Sequence, residues 1–286
     1  MASKSGSKSG ASASGSGGAN LQDLLHGAQA SGVLTQAALN SINVVDLGDA
    51  FDDMGVDIEA IDSNEVFLIV GCVDNSYSIQ QHNNTNAVIK GYNGYLDSLD
   101  DSESTADFLI ATFYVNRGLM QTYTPLKQAW RLNDVNYVPD GGTPLYDQAI
   151  TLGAFAGAKY QEITATGASC RGVLFFLGDG KDEGSRAKAK QAADVLTPLQ
   201  GQERFQVIAM GVQDKPIDKG GTDFYQVYGA MGVRRNLILP VSADPSSLRR
   251  AFGVMSRATK HASQGGSLSG GLGGFGTAGD PAAGTP

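Results

Sequence analysis

From residue 65 onward, short uninterrupted apolar runs alternate with longer amphipathic stretches. The runs are "VFLIVGCV" (66–73), "FLIATFYV" (108–115), "GVLFFL" (172–177), "FQVIAMGV" (205–212) and "LILPV" (237–241). Continuity of this kind predicts strands buried on both faces, as in a parallel sheet covered by helices. Between the runs, Val88, Tyr92, Tyr95 and Leu99 share one helical face, as do Leu145, Ala149, Leu152 and Phe155. Further helices are predicted near 186–200, 222–231 and 245–260. "LMQTY" (119–123), after the turn "VNRG", suits the far arm of a hairpin at a sheet edge. The predicted fold is therefore α/β: an open, doubly wound, mostly parallel sheet with one antiparallel edge strand. In such sheets the ligand crevice lies beyond the carboxyl ends of the strands.

Composition changes the picture at both ends. Residues 1–19 are almost wholly Ser, Gly, Ala and Lys, and residues 263–286 are Gly-rich around a single Phe275. Neither stretch carries enough apolar surface to offset its ordering entropy, so both are expected to be disordered tails. Residues 20–61 hold two short predicted helices and then an acidic run, Asp46, Asp49, Asp52, Asp53, Asp57 and Glu59. This appendage is too short for a core of its own and is expected to pack on the main domain, residues 62–262, or on a partner. Its acidic run could brace the first strand or offer a carboxylate to the crevice.

Charge and hydropathy exclude whole classes. No window reaches the ~18 apolar residues of a membrane span, and the N-terminus lacks the apolar stretch of a secretory signal, so a soluble cytoplasmic protein is expected. The net charge of −8 disfavours a nucleic-acid partner. "SLRRAFGVMSRATKH" (247–261) is locally basic and suits an amphipathic terminal helix with its cations in solvent.

Candidate chemistry gathers where the strands end. "VDNSYS" sets Asp74, Ser76 and Ser78 just past the first strand, and "LGDG" sets Asp179 past another. "PDGGTPLYDQ" places Thr143 on a Gly-rich loop at a helix start, as N-cap with Pro144 at the first helical position. Two carboxylates and three hydroxyls, with no His or Cys, suit a hard divalent cation, Mg²⁺ first and Mn²⁺ or Ca²⁺ behind it. His82, in "HNNTN" at a helix start, is expected to make capping and surface contacts.

Enzymatic readings fit poorly. There is no Gly-x-Ser-x-Gly elbow and no phosphate-cradling Gly-x-x-x-x-Gly-Lys. A haloacid-dehalogenase-like, Mg²⁺-dependent phosphohydrolase would need an Asp where Ser76 stands.

"DNSYS", "GGTPLYD" and "LGDG", in this order and on these predicted elements, resemble the metal-ion-dependent adhesion site of von Willebrand factor A (vWA) domains, over about residues 62–262. The resemblance, to bacterial stand-alone members, implies an intact site in which Ser76, Ser78 and Thr143 ligate the metal directly. Asp74 and Asp179 would act mainly through water. Gly178 departs from the Thr or Ser usual before that Asp. The function implied is non-enzymatic: capture of an acidic side chain of a partner protein, in some members beside MoxR-type AAA+ ATPases or in stress-response systems. The alternative is an assembly subunit whose tails or N-terminal helices self-associate while the metal stabilises loops.

The two cysteines test the predicted register. If Asp74 and Asp179 mark one level of the sheet, Cys72 and Cys170 lie seven residues apart, roughly 23 Å at ~3.3 Å per residue. That is too far for a disulfide, so both are expected to be free.

Overall fold

A computed structural model describes residues 20–47, 54, 64–100, 106–179, 181–213 and 215–268. The tail expectation for residues 1–19 and 269–286, and the acidic run from Asp49 to Glu59, lie outside these residues. The elements, in chain order, are α1 (Leu21–Ala30), α2 (Gln36–Ile42), β1 (Glu65–Val73), α3 (Tyr77–Gln81), α4 (Thr85–Asp100), β2 (Asp107–Tyr114), β3 (Gly118–Pro125), α5 (Leu145–Ala165), β4 (Ser169–Gly178), α6 (Ala189–Leu199), β5 (Phe205–Gln213), α7 (Phe224–Ala230), β6 (Ile238–Ser242) and α8 (Pro245–Ser263).

The six strands form one sheet in the order β3-β2-β1-β4-β5-β6. Only the β2–β3 hairpin at the edge is antiparallel. The continuous apolar runs have a simple cause: alternate side chains enter two different cores. Val66, Leu68, Val70 and Cys72 of β1 face one core with Leu174 and Phe176 of β4 and Phe155 of α5. Phe67, Ile69 and Val73 face the other with Val173, Phe175 and Leu177, under Tyr92 and Tyr95 of α4 and Phe252 of α8. Gly71 is small because the Phe175 ring lies across it; a Cβ there would meet Phe175 Cζ at 2.2 Å.

The N-terminal helices pack on the domain. Leu24, Leu25, Ala28, Leu34, Leu39 and Ile42 are buried in the same core as α5 and α6, and Val45, Leu47 and Met54 pack against it. Asn20 and Thr35 cap the two helices, accepting from the backbone N–H groups of Asp23 and Ala38. Arg204, at the start of β5, closes the other end of α1 by donating to Gly32 O at 2.6 Å and Ser31 O at 3.3 Å.

At the C-terminus the packed unit runs past residue 262, where the sequence places its boundary. The helix α8 continues to Ser263, and Leu268 is buried in the second core, its carbonyl accepting from Gln206 Nε2 at 3.4 Å. A single leucine in a Gly/Ser-rich run is enough to fasten the chain where a core site is open to it. Among the described residues, no helix is long and apolar enough to cross a membrane.

The β1–β4 register sharpens the cysteine argument. Cys170 lies opposite Val66 and Cys72 opposite Phe176, so they are six positions apart rather than seven, roughly 20 Å at ~3.3 Å per residue. Asp74 is level with Gly178, and Asp179 sits one step higher. Both thiols are free and buried. Denaturation without reductant should therefore expose two titratable thiols. An intramolecular disulfide mapped by mass spectrometry would overturn this register.

Candidate functional site

The site begins where the central ladder stops. Asp74 N donates to Leu177 O at 2.8 Å, one rung beyond the last β1–β4 pair. This rung turns the Asp74 side chain toward the end of β4. Asp74 is fully buried. Its Oδ1 accepts from Ser76 N at 2.7 Å and its Oδ2 from Asp179 N at 3.3 Å. Gly178 allows this approach, since a Cβ there would lie 2.7 Å from Asp74 Oδ2. The glycine that departs from the family pattern is thus the residue against which the first carboxylate rests.

The hydroxyls complete a chain. Ser76 Oγ and Ser78 Oγ are 2.9 Å apart, and Ser78 Oγ donates to Asp179 Oδ2 at 2.8 Å. Ser76 is the N-cap of α3 by position, yet its side chain makes no capping bond. Its oxygen faces the cluster instead. Asp74, Ser76, Ser78 and Asp179, from two loops about a hundred residues apart, therefore form one connected set.

The loop that carries Thr143 is tied to this set by backbone bonds. Asp140 N donates to Asn75 O at 2.7 Å and Tyr77 N to Gly141 O at 3.2 Å, tying the loop to the Asp74–Ser78 turn. Gly141 has φ +68°, a left-handed conformation suited to glycine. On its other side, Glu183 N donates to Thr143 O at 2.8 Å.

The expected N-cap role of Thr143 does not hold. The helix α5 starts at Leu145, Pro144 stands at the cap position, and no side chain caps it locally. Leu145 N donates to Thr143 O at 2.7 Å, and the next two N–H groups are satisfied from the loop after β4. Tyr146 N and Asp147 N donate to Ser185 Oγ at 3.1 and 3.2 Å, and Tyr146 N also to Asp182 Oδ1 at 3.2 Å. Asp147 returns the contact, its carboxylate accepting from Arg186 N at 3.0 Å and Ala187 N at 2.8 Å. Capping from a distance relieves the Thr143 hydroxyl of that task.

Two buried tyrosines hold the floor. Tyr137 Oη donates to Asp74 O, and Tyr228 Oη donates to Gly178 O at 3.5 Å. Neither stands out in the sequence: Tyr137 sits in a loop, "NYVPDGG", and Tyr228 in a short helix. Asn75, Asn116, Asp182 and Ser185 escaped sequence reasoning for the same reason, since turn residues show no periodicity. His82 is exposed, but it follows α3 as its C-cap, at a helix end rather than the helix start expected from the sequence.

Burial, then the neighbouring Asp179 carboxylate, pushes Asp74 up to about 6, against the lowering effect of its bonds from Ser76 and Asp179. No lysine or arginine is among the groups acting on it. Among the described residues, no three His, Cys, Asp or Glu side chains form a metal cluster. The connected set carries two carboxylates and two hydroxyls, with the Thr143 hydroxyl on the loop tied to it. An oxygen-only set of this kind fits a hard divalent cation, which would offset the Asp179 charge acting on buried Asp74.

The sheet order, the antiparallel edge and the site at the carboxyl ends of the central strands give the chain the fold of von Willebrand factor A domains. The pilus adhesin SpaC from Lactobacillus rhamnosus GG, in an open conformation, is similar with a TM-score of 0.51 and 13% identity, over 68% of this chain and 30% of that one. A von Willebrand factor type A protein from Catenulispora acidiphila is similar with a TM-score of 0.42 and 16% identity, over 68% and 43%. Proximal thread matrix protein 1 from the mussel byssus, with a zinc-occupied MIDAS motif, gives 0.42 and 16%, over 70% and 47%. The chain spans less than half the length of each of these three. No family model and no curated protein matches the sequence.

The raised Asp74 carboxyl has a definite consequence in chelator. A carboxyl whose folded value lies above its ordinary 3.8 stabilises the fold most when protonated, and that stability is lost as pH rises through about 6. The wild type should therefore lose about 3 kcal/mol relative to Asp74→Asn between pH 3.5 and pH 7.5, at 1.36 kcal/mol per tenfold change in proton affinity. Denaturant titrations of both proteins across that range check it; a constant difference would show that Asp74 titrates normally.

Proposed function

We propose that the chain is a metal-dependent protein-binding module, in which Ser76, Ser78 and Thr143 hold a divalent cation directly and Asp74 and Asp179 act mainly through water. The observation that carries this reading is the connected set Asp74–Ser76–Ser78–Asp179, built around a fully buried carboxylate with no protein cation beside it. Mg²⁺ is the metal proposed first, with Mn²⁺ and Ca²⁺ as alternatives. When bound between neutral hydroxyls, the ion would keep most of its charge and an open position for an anionic oxygen.

The chain's own residues support binding rather than catalysis. The three donor loops carry no His, and Cys72 beneath them is buried, its thiol pushed well up by burial and by Asp74, so it supplies no thiolate. The partner class is a protein presenting an Asp or Glu side chain; MoxR-type AAA+ ATPases and stress-response systems are the first to test. The assembly alternative gains no support from α1 and α2, which bury apolar side chains against their own domain, and its tails lie outside the described residues.

Saturating Mg²⁺ or Mn²⁺, at about 100 times its dissociation constant, should stabilise the wild type by about 2.7 kcal/mol, roughly 5–10 °C in Tm. Asp74→Ala and Thr143→Ala should lose that shift and keep the circular dichroism of the folded domain. Retention of the full shift by both variants would refute the site. Capture of an acidic partner should likewise occur in Mg²⁺ and cease in EDTA, and capture indifferent to EDTA would refute the binding mechanism.

A further inference from the structure

We propose that Asn116 is a positioning residue for this site, clamping together the two loops that carry its hydroxyl donors. The inference rests on the proposed metal site and adds a residue outside the donor set.

Asn116 lies in the turn between β2 and β3. Its Nδ2 donates toward three backbone carbonyls: Asp140 O, Gly142 O at 3.2 Å and Asn75 O at 3.4 Å. Its backbone N–H donates to Asn75 Oδ1 at 3.4 Å. Asn75 stands between Asp74 and Ser76, and Gly142 stands next to Thr143. One amide group thus joins the neighbours of donors that come from loops almost seventy residues apart. The orientation of the amide follows from chemistry, because an oxygen in place of Nδ2 would face three carbonyl oxygens. A Cβ on Gly141 would lie only 3.1 Å from Nδ2, so the loop is wrapped closely around this group.

Three hydroxyls serve one ion only if Ser76 and Ser78 on one loop stand at a fixed place relative to Thr143 on the other. Two backbone bonds, Asp140 N to Asn75 O and Tyr77 N to Gly141 O, help set that relation. The Asn116 amide is the side-chain contact that spans both loops at once. By contrast, the adjacent Arg117–Asp140 ion pair has side chains 45% and 56% exposed. A pair so exposed contributes little, which makes Arg117→Ala a suitable control.

The test compares wild type, Asn116→Leu, Asn116→Ala and Arg117→Ala. Leucine is close to asparagine in shape and lacks the donors. Amide hydrogen exchange, read in EDTA, should show the Tyr77 and Asp140 N–H groups exchanging about tenfold faster in both Asn116 variants, with the β1–β4 ladder unchanged. Calorimetric titration with Mn²⁺ and with Mg²⁺ should show affinity lower by about 10–100-fold in the same variants, and within about twofold of wild type in Arg117→Ala. Wild-type protection and affinity in Asn116→Leu would overturn the inference. So would acceleration spread evenly over the whole sheet, which marks a general stabiliser. A wild type that binds neither metal would sink the metal site and this inference together, whereas wild-type binding with unaffected Asn116 variants sinks the inference alone.

Discussion

The parallel pairing of β1 with β4 is the constraint on which the site depends. Its last rungs, Val73 opposite Leu177 and then Asp74 N to Leu177 O, decide that a carboxylate on one strand end meets Gly178 and the Asp179 N–H on the other. A slip of one residue would turn the side chains of β1 into the wrong cores and carry Asp74 away with them. The apolar fit of Phe175 across Gly71, well below the site, therefore helps fix where the oxygen atoms stand. Packing sets the register, and the register sets the chemistry.

The arrangement costs the folded chain stability. Asp74 is buried and next to Asp179, and its backbone bonds only partly offset that, so its carboxyl sits at about 6 instead of 3.8. A sheet selected for stability alone would place a neutral residue there. The cost is informative because it would be relieved by a bound cation. Ser76 and Ser78 point the same way: their hydroxyls bond to each other and to Asp179 rather than to the α3 cap.

Much of this was visible in the chain. Continuous apolar runs announced strands covered on both faces because two cores do exist, and polar residues after two of those runs meet at the strand ends. The parts that escaped share one cause. Ser185 and Asp182 capping α5, Tyr137 under Asp74, Arg204 closing α1 and Asn116 bridging two loops are all bonds between residues far apart in sequence. Local pattern does not encode such bonds. Leu268 escaped for a different reason, since composition averaged over a Gly-rich segment hides one residue that finds a core.

These distant bonds together determine how free the Thr143 loop is. The helix α5 is held at its start by the loop after β4, through Ser185 and Asp182 in one direction and Asp147 in the other. Along its outer face it is held by α1 and the turn that follows, where Gly157 admits Leu34 to within 3.3 Å of a would-be Cβ and Gln161 accepts from Ser31 Oγ at 2.9 Å. These contacts hold α5 at its start and along its outer face. The short loop from Asp140 to Pro144 is held separately, by backbone bonds to Asn75, Tyr77 and Glu183 and by the Asn116 amide. The N-terminal helices thus touch the site only indirectly: they brace α5, and the loop that leads into α5 carries Thr143.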